Sequence, residues 1–133
     1  MAGVSTALSQ MLLNWHLSAS AISQPGQPKA VGLTTTTPTS VSAFEIATGS
    51  GQSRQSVVYS VWAANSIINS NTVSFGPFTV ANQTIVGLQI WNTASSGSTG
   101  ELMFWYGTLA NARQVSSGDS LTFAPGAIVH TLS

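Results

Sequence analysis

The hydrophobic period changes once along the chain. In the segment STALSQMLLNWHL, from Ser5 to Leu17, the residues Val4, Leu8, Met11, Leu12 and Trp15 recur at spacings of three and four. That spacing predicts an amphipathic helix over about residues 5–17, with Ser5 or Thr6 as its cap. Leu13 and Leu17 fall off the stripe. One face of the helix is therefore expected to close the domain's own core, while these two leucines are free to dock on a partner.

Pro25-Gly26 and Pro28 end any helix, and beyond them the pattern shortens to strands and turns. AVGLTTT, SVVYSVWA, NTVSFGPFTV, TIVGLQIWN, ELMFWYGTL and LTFAPGAIVHTL are rich in β-branched and aromatic residues. TASSGSTG predicts a hairpin turn carrying Gly97 and Gly100, and Pro125-Gly126 is the pair a type II turn requires. A glycine-containing stretch over about residues 42–54 reads as a flexible loop. Short strands at this spacing predict a mainly β fold, an antiparallel, jelly-roll-like β-sandwich with one N-terminal α-helix, in a single domain over 1–133.

ELMFWYGTLA, Glu101 to Ala110, has apolar residues on both strand faces, with Leu102, Phe104 and Tyr106 on one and Met103, Trp105 and Leu109 on the other. Val57, Tyr59 and Val61 oppose Val58 and Trp62 in the same way. Two-sided strands need two covers. One is the facing sheet; the other is expected to be the helix or a neighbouring subunit, with Met103 and Trp105 on the side away from the sandwich core.

Charge sharpens this expectation. Lys and Arg number 3 and Asp and Glu 3, so charged residues form 5% of the chain, against about 25% in ordinary soluble domains. A surface of Ser, Thr, Asn and Gln is solvated but does not repel another copy of itself, which suits a subunit of a large assembly. Three basic residues are too few for a nucleic-acid footprint. No apolar run has the length of a membrane-spanning helix, and the N-terminal segment lacks the basic run of a secretory signal, so a chain made in a cytoplasm is expected.

Candidate chemistry is sparse. There is no cysteine, the acids are Glu45, Glu101 and Asp119, and the histidines are His16 and His130. Asp119, in SSGDS, has a structural task in bonding its turn, and no nucleophile elbow, phosphate loop, dinucleotide fingerprint or metalloprotease motif occurs. No enzyme activity, cofactor or metal is expected. Arg54, in SGQSRQ, stands alone among uncharged polar residues; it suits either tying a loop to a carbonyl or carboxylate of a partner, or guarding an edge strand. Leu13, Leu17, Arg54, Met103 and Trp105 are thus the candidate interface residues.

The order of these segments resembles a family of small virion proteins of tailed bacteriophages. The resemblance rests on the helix carrying LLN, on VGLTTT, on Ser53-Arg54-Gln55 and on the terminal GDSLTFAPGAI, and it extends from about Ser5 to Leu132. Members are often labelled tail fibre proteins, and related small β-sandwich proteins decorate capsids. The resemblance implies a structural protein of the virion. A fibre shaft needs repeats, and none is found. The expectation is therefore a capsid-decorating or cement protein, a homotrimer contacting the major capsid protein or another virion protein. The alternatives are a tail component, either a fibre module or a tube-like ring protein, and more remotely a carbohydrate-binding module stacking sugars on Trp62, Trp91 or Trp105.

Overall fold

The computed structural model describes residues 3–17, 29–40, 53–61, 63 and 65–131. Strand β1 (Gly3–Val4) leads into helix α1 (Thr6–Leu17), followed by β2 (Lys29–Thr34), β3 (Gln55–Val57), β4 (Ser66–Ile68), β5 (Val73–Phe75), β6 (Gln83–Trp91), β7 (Met103–Val115), β8 (Leu121–Phe123) and β9 (Val129–Thr131). Antiparallel pairing joins five of them in the order β1-β7-β6-β2-β3, and two ribbons, β4-β9 and β5-β8, form the second layer. Val31, Leu33, Val57, Ile85 and Ile90 of the large sheet meet Val73, Phe75, Phe78 and Ile128 in one core. The predicted mainly β sandwich with one N-terminal helix is observed.

Ser5 caps the helix: its Oγ accepts the Leu8 N–H at 3.1 Å and donates to the Met103 carbonyl, fixing the helix start to the sheet. The loop between β6 and β7 carries Gly97 and Gly100 as predicted, and Asn92 straps it by accepting the Leu102 N–H at 2.8 Å and donating to the Gly100 carbonyl at 3.0 Å. At Pro125-Gly126 the Ala127 N–H bonds the Ala124 carbonyl at 3.0 Å, and Gly126, at φ 81°, takes the left-handed position that a side chain resists. Asp119 accepts the Ser116 N–H at 2.8 Å, the turn-bonding task its sequence context assigned.

Two departures from the sequence reading have local causes. SVVYSVWA is not one strand. β3 stops at Val57 because the Asn71 side chain takes the Val58 N–H at 2.8 Å and donates to the Ser56 carbonyl at 3.2 Å, after which residues 58–61 cross to the second layer and run beside β4. β7 is longer than expected, running on to Val115, and its pairing with β6 shifts register twice. Ile85 opposes Arg113 while Gly87 opposes Thr108, so the stretch 109–112 faces Val86 alone. This shift brings Ile85, Leu88 and Ile90 to the same core, which strict alternation would forbid.

The other face of the large sheet is covered as well. Ala30, Gly32 and Thr34 stand opposite Trp91, Gln89 and Gly87, and all six are buried. A Cβ on Gly87 would lie 2.8 Å from Pro38 Cδ and 2.7 Å from the Gly107 carbonyl, so the 35–40 segment lies directly on the sheet. Thr6 N–H bonds the Ser40 carbonyl at 3.1 Å, tying that segment to the helix start. Trp105 is not on this side, contrary to expectation. It pairs with Ile90 and packs against the sandwich core, because the register shifts between Ile90 and Trp91: Trp91 opposes Met103, Phe104 is the extra residue, and Met103 and Trp105 turn to opposite faces.

Candidate assembly surfaces

Arg54 is the chain's buried cation. Its side chain is 2% exposed, its guanidinium carbon lies 3.7 Å from the centre of the Trp91 ring, and Nη1 donates to Glu101 Oε2 at 3.1 Å and to the Thr93 carbonyl at 3.3 Å. Glu101 Oε2 also accepts the Gly97 N–H at 2.9 Å. Arg54 therefore holds both limbs of the β6-β7 loop through an ion pair, a carbonyl and an aromatic face. The carbonyl and carboxylate it was expected to seek are found within its own subunit.

A second cluster joins the two layers. The Tyr59 hydroxyl and His130 Nε2 are 2.8 Å apart, a hydrogen bond, and the imidazole lies 5.1 Å from the Tyr59 ring and 5.2 Å from the Trp105 ring. Burial lowers the His130 pKa to about 4, so the ring is neutral at physiological pH, and burial raises that of the Tyr59 phenol. His130 thus ties β9 to β7, and Trp105 is part of that tie.

These contacts consume charge. Glu101 is paired, Asp119 is bonded to its own turn, and Lys29 lies over the Phe104 ring at 4.9 Å, where partial burial lowers its pKa. Arg113 is exposed on β7, and Glu45 lies outside the described residues. Among the described residues, no three of His, Asp and Glu come together as a metal site. An open groove of about 500 Å³ between β7 and β8 contains Arg113 and Asp119 but no histidine.

The exposed surface is instead apolar in two places. No described side chain of α1 is buried; Leu12 is half-exposed, and Leu13, Trp15 and Leu17 are 58%, 66% and 78% exposed. Four large apolar side chains in six positions are more than a stable monomer ordinarily leaves in water. Trp15, assigned by its spacing to the core stripe, belongs to this surface. The second place is the ribbon of the second layer, where Val58, Ile68 and Val129 are exposed, and Val61 beside them is 87% exposed. The two-sided valines of SVVYSV marked a face in need of a cover, but reading the segment as a single strand left its partners Ile68 and Val129 unseen.

Of the five candidate interface residues, Leu13 and Leu17 are exposed, Arg54 and Met103 are buried, and Trp105 is half-buried on the core side. Met103 sits beside the helix start, where Ser5 bonds its carbonyl. Trp91 and Trp105 do not present open rings for a sugar, since one is stacked on Arg54 and the other packs tilted against His130; Trp62 and most of the 42–54 loop lie outside the described residues.

Comparison with known families finds a match over nearly all of the chain. The profile described as Podophage GP4 fiber I protein gp80 matches residues 3–131. No curated protein matches it.

Proposed function

The chain belongs to the Podophage GP4 fiber I protein gp80 family and is a structural protein of a bacteriophage virion; from that premise we propose that it is a non-enzymatic globular subunit of a virion fibre. It is held to its neighbours by apolar contact. The observation that carries this reading is α1, a twelve-residue helix without an acid, Lys or Arg, whose large apolar side chains stand in solvent. A helix of that kind is stable when something covers it. Self-association, with a trimer as the expected closed form, and contact with another virion protein follow from the same surface. Capsid decoration is the second reading, favoured by a compact sandwich core with no repeat from which to build a shaft.

Gold-labelled antibody against the chain, applied to intact virions and imaged by electron microscopy, separates the two. The fibre reading expects label on projecting appendages. Label spread evenly over the head would overturn it in favour of decoration, and absence of the chain from washed virions would overturn both.

A further inference from the structure

Two exposed apolar surfaces remain on each subunit, and they differ in shape. α1 is a convex ridge bearing Leu12, Leu13, Trp15 and Leu17. The other surface is flatter and β-branched. Ile68 and Val129 are direct cross-strand partners between β4 and β9, and Val58 sits on the same side, opposite Ser70, whose N–H bonds its carbonyl at 2.7 Å. Val61 stands at the end of this ribbon.

The two surfaces belong to separate parts of the fold. α1 follows the edge strand β1, whereas the ribbon lies in the second layer, and both are exposed in the same subunit. Packing a helix ridge on a β-sheet face is one of the few stable ways to bury either. We infer that the α1 ridge of one subunit docks on the Val58–Ile68–Val129 face of the next, a head-to-tail contact between copies of this chain. The inference rests on the self-association proposed above and specifies its geometry.

Charge argues for a second copy as the occupant. α1 carries no acid, Lys or Arg, and the ribbon's one ionisable ring at this point, His130, faces inward to Tyr59 and Trp105. A charged partner would lose hydration on either surface and gain no counter-charge. A second copy brings only uncharged side chains to the contact and loses none. Such a contact closes into a ring when its rotation closes, as in a trimer, and otherwise extends as a filament.

Complementation tests the geometry. Leu13→Glu with Leu17→Glu disables the ridge, and Val58→Glu with Val129→Glu disables the ribbon, all at exposed positions. By sedimentation, wild type is expected to associate and each variant alone to run as a monomer, its association weakened at least about 30-fold. An equimolar mixture of the two variants retains one intact ridge and one intact ribbon, and is expected to form a 1:1 dimer and nothing larger.

A mixture that stays monomeric, a ribbon variant that associates like wild type, or a wild type that is monomeric at high concentration would each overturn the proposal. The corresponding serine variants provide the same comparison should a glutamate variant fail to melt cooperatively. Localisation on the virion does not depend on this result, so the two proposals fail separately.

Discussion

Arg54 lies flat against Trp91, its guanidinium carbon 3.7 Å from the ring centre, while one of its nitrogens reaches Glu101 at 3.1 Å. Two segments distant in sequence, the entry to β3 and the stretch from the end of β6 through the loop before β7, meet on one side chain. A lysine could supply the charge but neither the flat stack nor the fork.

Arg54→Ala is therefore expected to destabilise the isolated subunit by about 2–3 kcal/mol, the cost of losing charge-assisted hydrogen bonds to a partly exposed Glu101 and the stack on Trp91. Arg54→Lys should fall between that variant and wild type. Urea unfolding curves supply the comparison, and a lysine variant as stable as wild type would mean that stacking on Trp91 contributes little.

His130 makes stability depend on acid. Its ordinary pKa is near 6.5 and burial lowers it to about 4, so below about 6.5 the unfolded chain binds a proton that the folded chain refuses. Stability from this residue is whole above that pH, falls as the pH drops from about 6.5 to about 4, and then levels off. The loss is no more than about 3 kcal/mol. Melting temperatures measured from neutral pH to pH about 4 should trace this fall in wild type, and His130→Gln should flatten it.

Trp105→Ser separates two roles for the second apolar face of ELMFWYGTLA. Trp105 packs against the core and His130, so the substitution is expected to cost the fold about 2–4 kcal/mol, somewhat less than a fully buried tryptophan. A variant that melts like wild type but no longer associates would return Trp105 to the subunit interface.

What the sequence made legible was local. Period assigned α1, the Ser5 cap followed from residue type, and glycine and proline chemistry marked the β6-β7 loop and the Pro125-Gly126 turn. What it hid depended on partners far along the chain. The side to which Trp105 turns is set by its pairing with Ile90 and by the register shift at Phe104, between Trp105 and Met103, neither of which has a period. Arg54 was conspicuous as a lone cation, but only the fold brings Glu101 and Trp91 to it. The ribbon valines were misread because Asn71, a side chain, ends β3.

Gly87 tests how tightly the outer face of the sheet is sealed. An alanine methyl there would meet the Gly107 carbonyl at 2.7 Å and Pro38 Cδ at 2.8 Å, and a backbone carbonyl cannot swing aside as a flexible side chain can. Gly87→Ala is expected to cost about 1–3 kcal/mol by overpacking, visible as an earlier urea midpoint. An unchanged midpoint would mean that the 35–40 segment lifts off the sheet at little cost.

Attachment to the particle should respond weakly to salt. The charges that could be screened are largely spent within the subunit, with Arg54 on Glu101 and Asp119 on its own turn, whereas the exposed candidates for contact on α1 and the ribbon are leucine, isoleucine, valine and tryptophan. Ion pairs at an interface weaken as the screening length shortens, but burial of apolar surface does not. Raising the ionic strength roughly tenfold over virions should therefore leave the chain bound, and urea below its own unfolding midpoint should release it first. Release by moderate salt while urea leaves it in place would mean that Arg113, or charge contributed by residues outside those described, makes the contact.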